Sequence, residues 1–304
     1  MLLFWYKEDE RVRLIMSKIQ NFMQIYMYEL EQFLCTKKAE LKEVSFQSDE
    51  ANTDRPLKEF LRTVIENEFT RIPSDTQITD VVFNDVAGVD IDELKKVQVL
   101  RVLLPEQITD EIKAIVSATK NAVYTNPDMC LEILMDGQKY YETIELKSTK
   151  QDSIPGSSIQ QVLPDEWVIF IKHSTAKIEI VTGQYIHAIN SKMQFPDRSP
   201  RPQVSFKEMQ SWNQANRIVQ YAKLMYKKDN EESVKYDLIN DWQGVLSDRW
   251  IDMLFNATST RNNEPWFNNN MRKFIVAFLD RYEKLSDVEK QALVNRIKSL
   301  IKDE

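Results

Sequence analysis

Glycine is scarce, with five residues in 304, too few for the dense turns of an all-β sandwich or barrel. Cysteine is scarcer still. Cys35 and Cys130 lie far apart in no paired spacing, which argues against a disulfide framework or a zinc site and points to a reducing, cytoplasmic setting. The two histidines, His173 and His187, fall fourteen residues apart in segments that read as strands, and they read as structural, not catalytic. No Gly-x-x-x-x-Gly-Lys loop occurs, so no nucleotide cofactor and no ATP-driven translocation is expected. No run approaches the roughly 18 apolar residues that span a bilayer. The apolar opening Met1–Tyr6 is followed by charge at Lys7–Glu10, the reverse of signal-peptide order. No membrane partner is expected.

What is present suits a soluble globular chain. The hydrophobic fraction is 42% and the charged fraction 29%, enough for a substantial core in one large domain or two modest ones. The net charge of −7 weighs mildly against a nucleic-acid partner. Binding depends on where basic residues sit, however, and a metal-holding site adds carboxylates of its own.

Periodicity divides the chain into helices, then a compact sheet, then helices. From Glu8 to Val44, apolar residues recur at three- and four-residue steps without Gly or Pro, which predicts one long helix or two. Gln47–Arg55 reads as a loop. Pro56 opens a helix whose stripe is Phe60, Leu61, Val64, Ile65 and Phe69. Another is expected over Pro105–Val123, burying Ile108, Ile112, Ile115 and Val116. Strands are expected at Met129–Met135, Lys139–Ser148, Trp167–His173 and Lys177–Ile189, the last bending or bulging at Gly183. After Pro196, Pro200 and Pro202 the pattern returns to helix at Phe206–Lys228, Glu231–Phe255 and Asn270–Lys302. The expected division is 1–55 as an N-terminal helical region serving dimerisation or as a DNA arm, 56–204 as the core, and 205–304 as a C-terminal helical region packed on it.

The informative segment runs from Asn126 to Ser148. Asp136-Gly137 is a strong two-residue hairpin signal, because a type I′ turn needs positive φ at both positions. With that loop, opposite residues have numbers summing to 273, and Asp128 faces Glu145. One face then carries Asp128, Cys130, Glu132, Tyr141, Thr143, Glu145 and Lys147. The other carries the apolar set Met129, Leu131, Ile133, Tyr140, Ile144 and Leu146. Two carboxylates about 5 Å apart on a rigid sheet are costly unless a cation lies between them. A hard cation such as Mg²⁺ prefers carboxylate, water and phosphate oxygens, and Lys147 is placed to orient an attacking water. This is an apparatus for hydrolysing a phosphodiester.

Pro127-Asp128, a spacer and Glu145-Leu146-Lys147 together resemble the PD-(D/E)xK signature of the restriction-endonuclease superfamily. The resemblance implies a central mixed β-sheet of that type flanked by helices, an α/β (α+β) fold. It further implies that Asp128, Glu145 and the Leu146 backbone carbonyl hold Mg²⁺, and that Lys147 serves the attacking water. The family often adds a glutamate from a preceding helix, for which Glu66 and Glu68 are candidates. Glu132 has no firm counterpart, and is either a further acidic contributor or a solvated residue.

Beyond the hairpin, Pro155-Gly156 makes a turn, and Ser157 or Ser158 would cap a short helix closed by Pro164. Its free N–H groups suit a phosphate, and Gln160 and Gln161 suit base edges, adenine in particular. This stretch resembles the segment after the catalytic lysine in some type II restriction enzymes, and Lys150 joins it as a DNA contact. Arg198 and Arg201, on the proline-stiffened Asp197–Pro202 loop, could reach guanine or phosphate. The expectation is a Mg²⁺-dependent type II enzyme of a restriction-modification pair, cutting double-stranded DNA at a short sequence. Two-strand cleavage makes a homodimer the simplest assembly. Two alternatives stand beside it: a structure-specific repair or recombination nuclease of the same superfamily, and a non-enzymatic helical interaction protein whose hairpin is architecture.

Overall fold

The computed structural model describes residues 10–44, 55–83, 90–120, 127–155, 162–174, 177–190, 203–227, 232–256 and 269–301. The first part of the chain forms α1 (Glu10–Thr36), α2 (Lys38–Glu43), α3 (Arg55–Glu68), β1 (Asp80–Phe83), α4 (Ile91–Lys95), β2 (Gln98–Leu103) and, after a 3-10 turn at Pro105–Gln107, α5 (Asp110–Lys120). The hairpin strands β3 (Met129–Met135) and β4 (Gln138–Thr149) follow, then β5 (Ser153–Pro155), β6 (Trp167–His173), β7 (Ile178–Gln184) and the short α6 (Tyr185–Ala188). The remainder is β8 (Gln203–Ser205), α7 (Phe206–Asn216), β9 (Arg217–Gln220), β10 (Lys223–Tyr226), α8 (Glu232–Asn256), α9 (Asn269–Glu283) and α10 (Asp287–Leu300).

The central sheet is mixed, in the order β2-β3-β4-β6-β7. β2, β3 and β4 are antiparallel neighbours, β6 runs parallel to β4, and β7 returns antiparallel to β6. A parallel neighbour cannot be reached by a tight turn, and the 150–166 segment supplies the crossover. Asp136 and Gly137 take φ of 52° and 77°, the type I′ conformation. Met129 pairs Ile144 and Met135 pairs Gln138, the register expected from the turn.

Each face of the sheet is covered. On one side Leu131, Ile133, Ile144, Leu146, Ile169 and Ile171 pack with the α1 residues Phe22, Tyr26 and Leu30 and the α3 residues Leu57, Leu61 and Ile65. On the other side the cover is split. Cys130 and Leu103 pack under Ile112 and Val116 of α5, whereas Val168, Phe170 and Val181 pack under Tyr185, Phe206, Met209 and Leu238. β4 runs between these two apolar clusters. Its outward residues Glu145 and Lys147 pair with Val168 and Phe170 of β6, so the polar end of the hairpin lies in the seam.

Several elements differ from the sequence expectation. The helix expected over Phe206–Lys228 ends at Asn216 and gives way to the β9–β10 hairpin, whose second strand pairs in parallel with β1. Its turn is made by Tyr221 and Ala222 at φ of 51° and 59°, without the Gly or Asn that would announce it. The strand expected over Lys177–Ile189 stops at Gln184, and α6 takes its place. Gly183 carries no bulge, since it pairs Val168 in an unbroken register. The shorter strands β1, β2, β5 and β8 were not expected. In α5, Ile112 and Val116 are buried as expected, but Ile115 is exposed. α8 is interrupted at Asp241, whose φ and ψ of −151° and 66° are not helical.

The chain divides into two compact units. The first comprises Met1–Met193 with Pro202–Val245, and the second Gln194–Arg201 with Leu246–Glu304. α1 and α2 therefore belong to the unit of the central sheet, as do β9, β10 and the first half of α8. In the second unit Ser286 caps α10 by accepting from the Glu289 N–H, and Glu289 returns a bond to the Ser286 N–H. Among the described residues, no helix is long and apolar enough to cross a membrane.

Candidate active site

Three of the expected residues meet at the open end of the β3–β4 hairpin. Extending the register by one residue sets Asp128 across from Glu145. Asp128 precedes the first ladder residue, so its side chain takes over where the strand stops: Oδ2 accepts from the Leu146 N–H at 2.8 Å. The carbonyl of a strand residue leaves on the same edge as its N–H, which puts the Leu146 C=O on the Asp128 side. Lys147 Nζ donates to Glu145 Oε1 at 2.6 Å. Asp128 and Glu145 are only 6% and 7% exposed, so their charges act in a medium that screens weakly.

Two further side chains enter the cluster that the sequence reading did not name. Lys58 of α3 is 4% exposed, and its Nζ lies 2.7 Å from Asp128 Oδ1. A signal for it exists: Lys58 falls on the apolar stripe of α3, three residues before Leu61 and seven before Ile65, where a charge needs a buried partner. Glu166 is fully buried and stands one residue before β6. By strand alternation it shares the face of Val168 and therefore of Glu145.

The electrostatics follow from this crowding. Burial pushes the Glu145 carboxyl up to about 7, and the Asp128 and Glu166 carboxylates push the same way against the Lys147 ammonium. Burial alone would lower Lys147, but Glu145 foremost, with Tyr185 and Asp128, holds it above its ordinary value. The negative potential at Glu145 is the condition that a hard cation relieves.

The donor set fits such a cation. Asp128 and Glu145 lie near enough for one carboxylate to raise the other, and Mg²⁺ is commonly held by one or two carboxylates with water and substrate phosphate completing its shell. Among the described residues no group of three His, Cys, Asp or Glu side chains is placed to hold a metal ion.

Other expected residues fall elsewhere. Glu132 is neither solvated nor part of the cluster: at 2% exposure it is held by Arg101 and Lys139, each at 2.7 Å. Those two cations overcome burial and keep its carboxyl below the usual range. Glu66 accepts from the Val102 N–H at 2.8 Å, tying α3 to β2. Glu68 pairs with Lys37 at 2.6 Å and sits ten residues past Lys58 on α3, about 15 Å along the axis at 1.5 Å per residue. Neither joins Asp128; the residue that α3 contributes is Lys58. Lys150 is exposed just beyond β4. Ser157, Ser158, Gln160, Gln161, Arg198 and Arg201 lie outside the described residues. His187 stacks on Trp212, with ring centroids 3.3 Å apart. No family model, curated protein or solved structure matches the chain.

Proposed function

We propose that the protein is a Mg²⁺-dependent endonuclease of the type II restriction kind, a cytoplasmic homodimer that hydrolyses phosphodiester bonds of double-stranded DNA at a short specific sequence. The observation that supports this best is the convergence of Asp128, Glu145 and Lys147 in a weakly screened seam at the end of a hairpin whose turn fixes their register. Asp128, Glu145 and the Leu146 carbonyl would hold the cation. When bound, it supplies Lewis-acid polarisation of the scissile phosphate and a lower pKa for an attacking water. Glu145 also anchors Lys147. An ammonium so fixed can donate to a water oxygen and orient it toward phosphorus, and offset the charge that grows on the phosphoryl oxygens. Hydrolysis then forms one P–O bond from water and breaks the bond to the leaving sugar oxygen, which takes up a proton.

The test is incubation of the purified protein with unmethylated phage DNA and Mg²⁺, beside Lys147→Ala and an EDTA control. Discrete fragments that vanish in both controls support the proposal. Smearing that depends on Lys147 moves the reading to a repair-type nuclease. A second reading, that the hairpin is architecture in an interaction protein, is favoured by one feature: each carboxylate already has an internal ammonium partner, Lys58 for Asp128 and Lys147 for Glu145. Intact DNA across several divalent metals and salt concentrations selects that reading.

A further inference from the structure

Asp128 Oδ2 accepts from the fixed Leu146 N–H, whereas the partner of Oδ1 is a side chain that can move away and admit an outside cation. That oxygen already faces the Lys58 ammonium at 2.7 Å, with the two side chains 5% and 8% exposed. An ammonium is a compact point charge on a flexible four-carbon stem. In a pocket so poorly screened, it and a divalent ion cannot share one carboxylate oxygen without strong repulsion. Lys147 engages Glu145 at Oε1, so it competes for one oxygen of that carboxylate and not for Asp128.

With the metal site read as above, we propose that Lys58 is an internal competitor of the divalent cation: it occupies Asp128 in the DNA-free protein and lowers its affinity for Mg²⁺. Metal entry then requires the Lys58 ammonium to leave Oδ1. The competition is electrostatic, so it belongs to the charge of residue 58 and not to its length. A neutral side chain there frees the oxygen, whereas an arginine keeps the block.

The measurement is calorimetric titration of Mg²⁺ into DNA-free protein, for the wild type, Lys58→Met, Lys58→Gln, Lys58→Arg and Asp128→Asn, each verified as folded by circular dichroism. Lys58→Gln can still donate to Asp128, and so covers the case in which Lys58→Met does not fold. The expected result is Mg²⁺ binding at least tenfold tighter in Lys58→Met and Lys58→Gln than in wild type, near-wild-type affinity in Lys58→Arg, and none in Asp128→Asn. Binding by the neutral variants alone, with none in wild type, supports the proposal equally. Neutral variants that bind no tighter than wild type, while Asp128→Asn abolishes binding, overturn the proposal and leave the metal site standing. Absence of binding in wild type and in every Lys58 variant removes both together.

Discussion

The Lys58–Asp128 pair should be worth more to the fold than any ion pair on the surface, and a double-mutant cycle measures it. Both side chains are under a tenth exposed, and Asp128 also holds the Leu146 N–H. Removing one charge strands the other. Breaking a buried pair from one side costs about 3–5 kcal/mol, whereas replacing both members is often close to neutral. Asp128→Asn keeps an acceptor for Leu146 and also removes one of the carboxylates that raise Glu145, so its cost should lie at the lower end, about 3 kcal/mol. Lys58→Met should cost about the same. The double variant loses both charges at once and should cost at most about 3 kcal/mol, where additivity would give about 6, a coupling of at least about 3 kcal/mol. The assay is urea denaturation followed by circular dichroism in EDTA, with equal m-values required before free energies are compared. Single variants within 1 kcal/mol of wild type, with an additive double, would falsify the claim that these charges are buried against each other.

Two other outcomes are open to direct measurement. Burial pushes the Glu145 carboxyl up from an ordinary 4.5 to about 7 in the fold, so between those values the folded chain keeps a proton that the unfolded chain has lost. In metal-free protein its contribution is complete below pH 4.5 and is lost as pH rises through 7; urea titrations in EDTA should show this decline flattened in Glu145→Gln. At the β9–β10 turn, Ala222 holds φ of 59°, a region that costs an L side chain free energy. Ala222→Gly should therefore raise stability by about 0.5–1 kcal/mol in the same assay, while its carbonyl still accepts from the Thr79 N–H and hydroxyl; a loss of stability counts against the strain.

How much of this was legible in the sequence depended on whether a local rule was present. β3, β4, β6 and β7 were readable because they are apolar, β-branched and flanked by turn residues. The hairpin register was readable because Asp136-Gly137 dictates it within a few residues. β9 and β10 escaped because their turn uses Tyr221 and Ala222, and because the apolar spacing of Ile218, Val219, Leu224 and Met225 also suits a helix. What makes Asp80–Phe83 and Lys223–Tyr226 strands is their pairing with each other, a long-range event that neither segment announces. Helix α6 replaces the end of a strand because Tyr185 and Ile186 bond back to the carbonyls of Glu166 and Pro164, again partners from elsewhere in the chain.

The site was legible only along the hairpin, for the same reason. Asp128, Glu145 and Lys147 are set by one turn, whereas Lys58 and Glu166 arrive by the packing of α3 and the parallel pairing of β6. Face membership alone could not sort the acids, since Glu132 and Glu145 stand on the same face with similar burial. Their neighbours separate them. Glu132 meets two cations, from β2 and from the far end of β4, and its carboxyl falls below the usual range despite burial. Glu145 meets one ammonium together with the fields of Asp128 and Glu166, and its carboxyl rises. A carboxylate whose charge is already matched by fixed side chains gains little from a divalent ion, while one left in negative potential gains much. The opposite shifts of two glutamates on one face therefore separate Glu132, which braces β2 against β4, from Glu145, whose surroundings a cation would relieve.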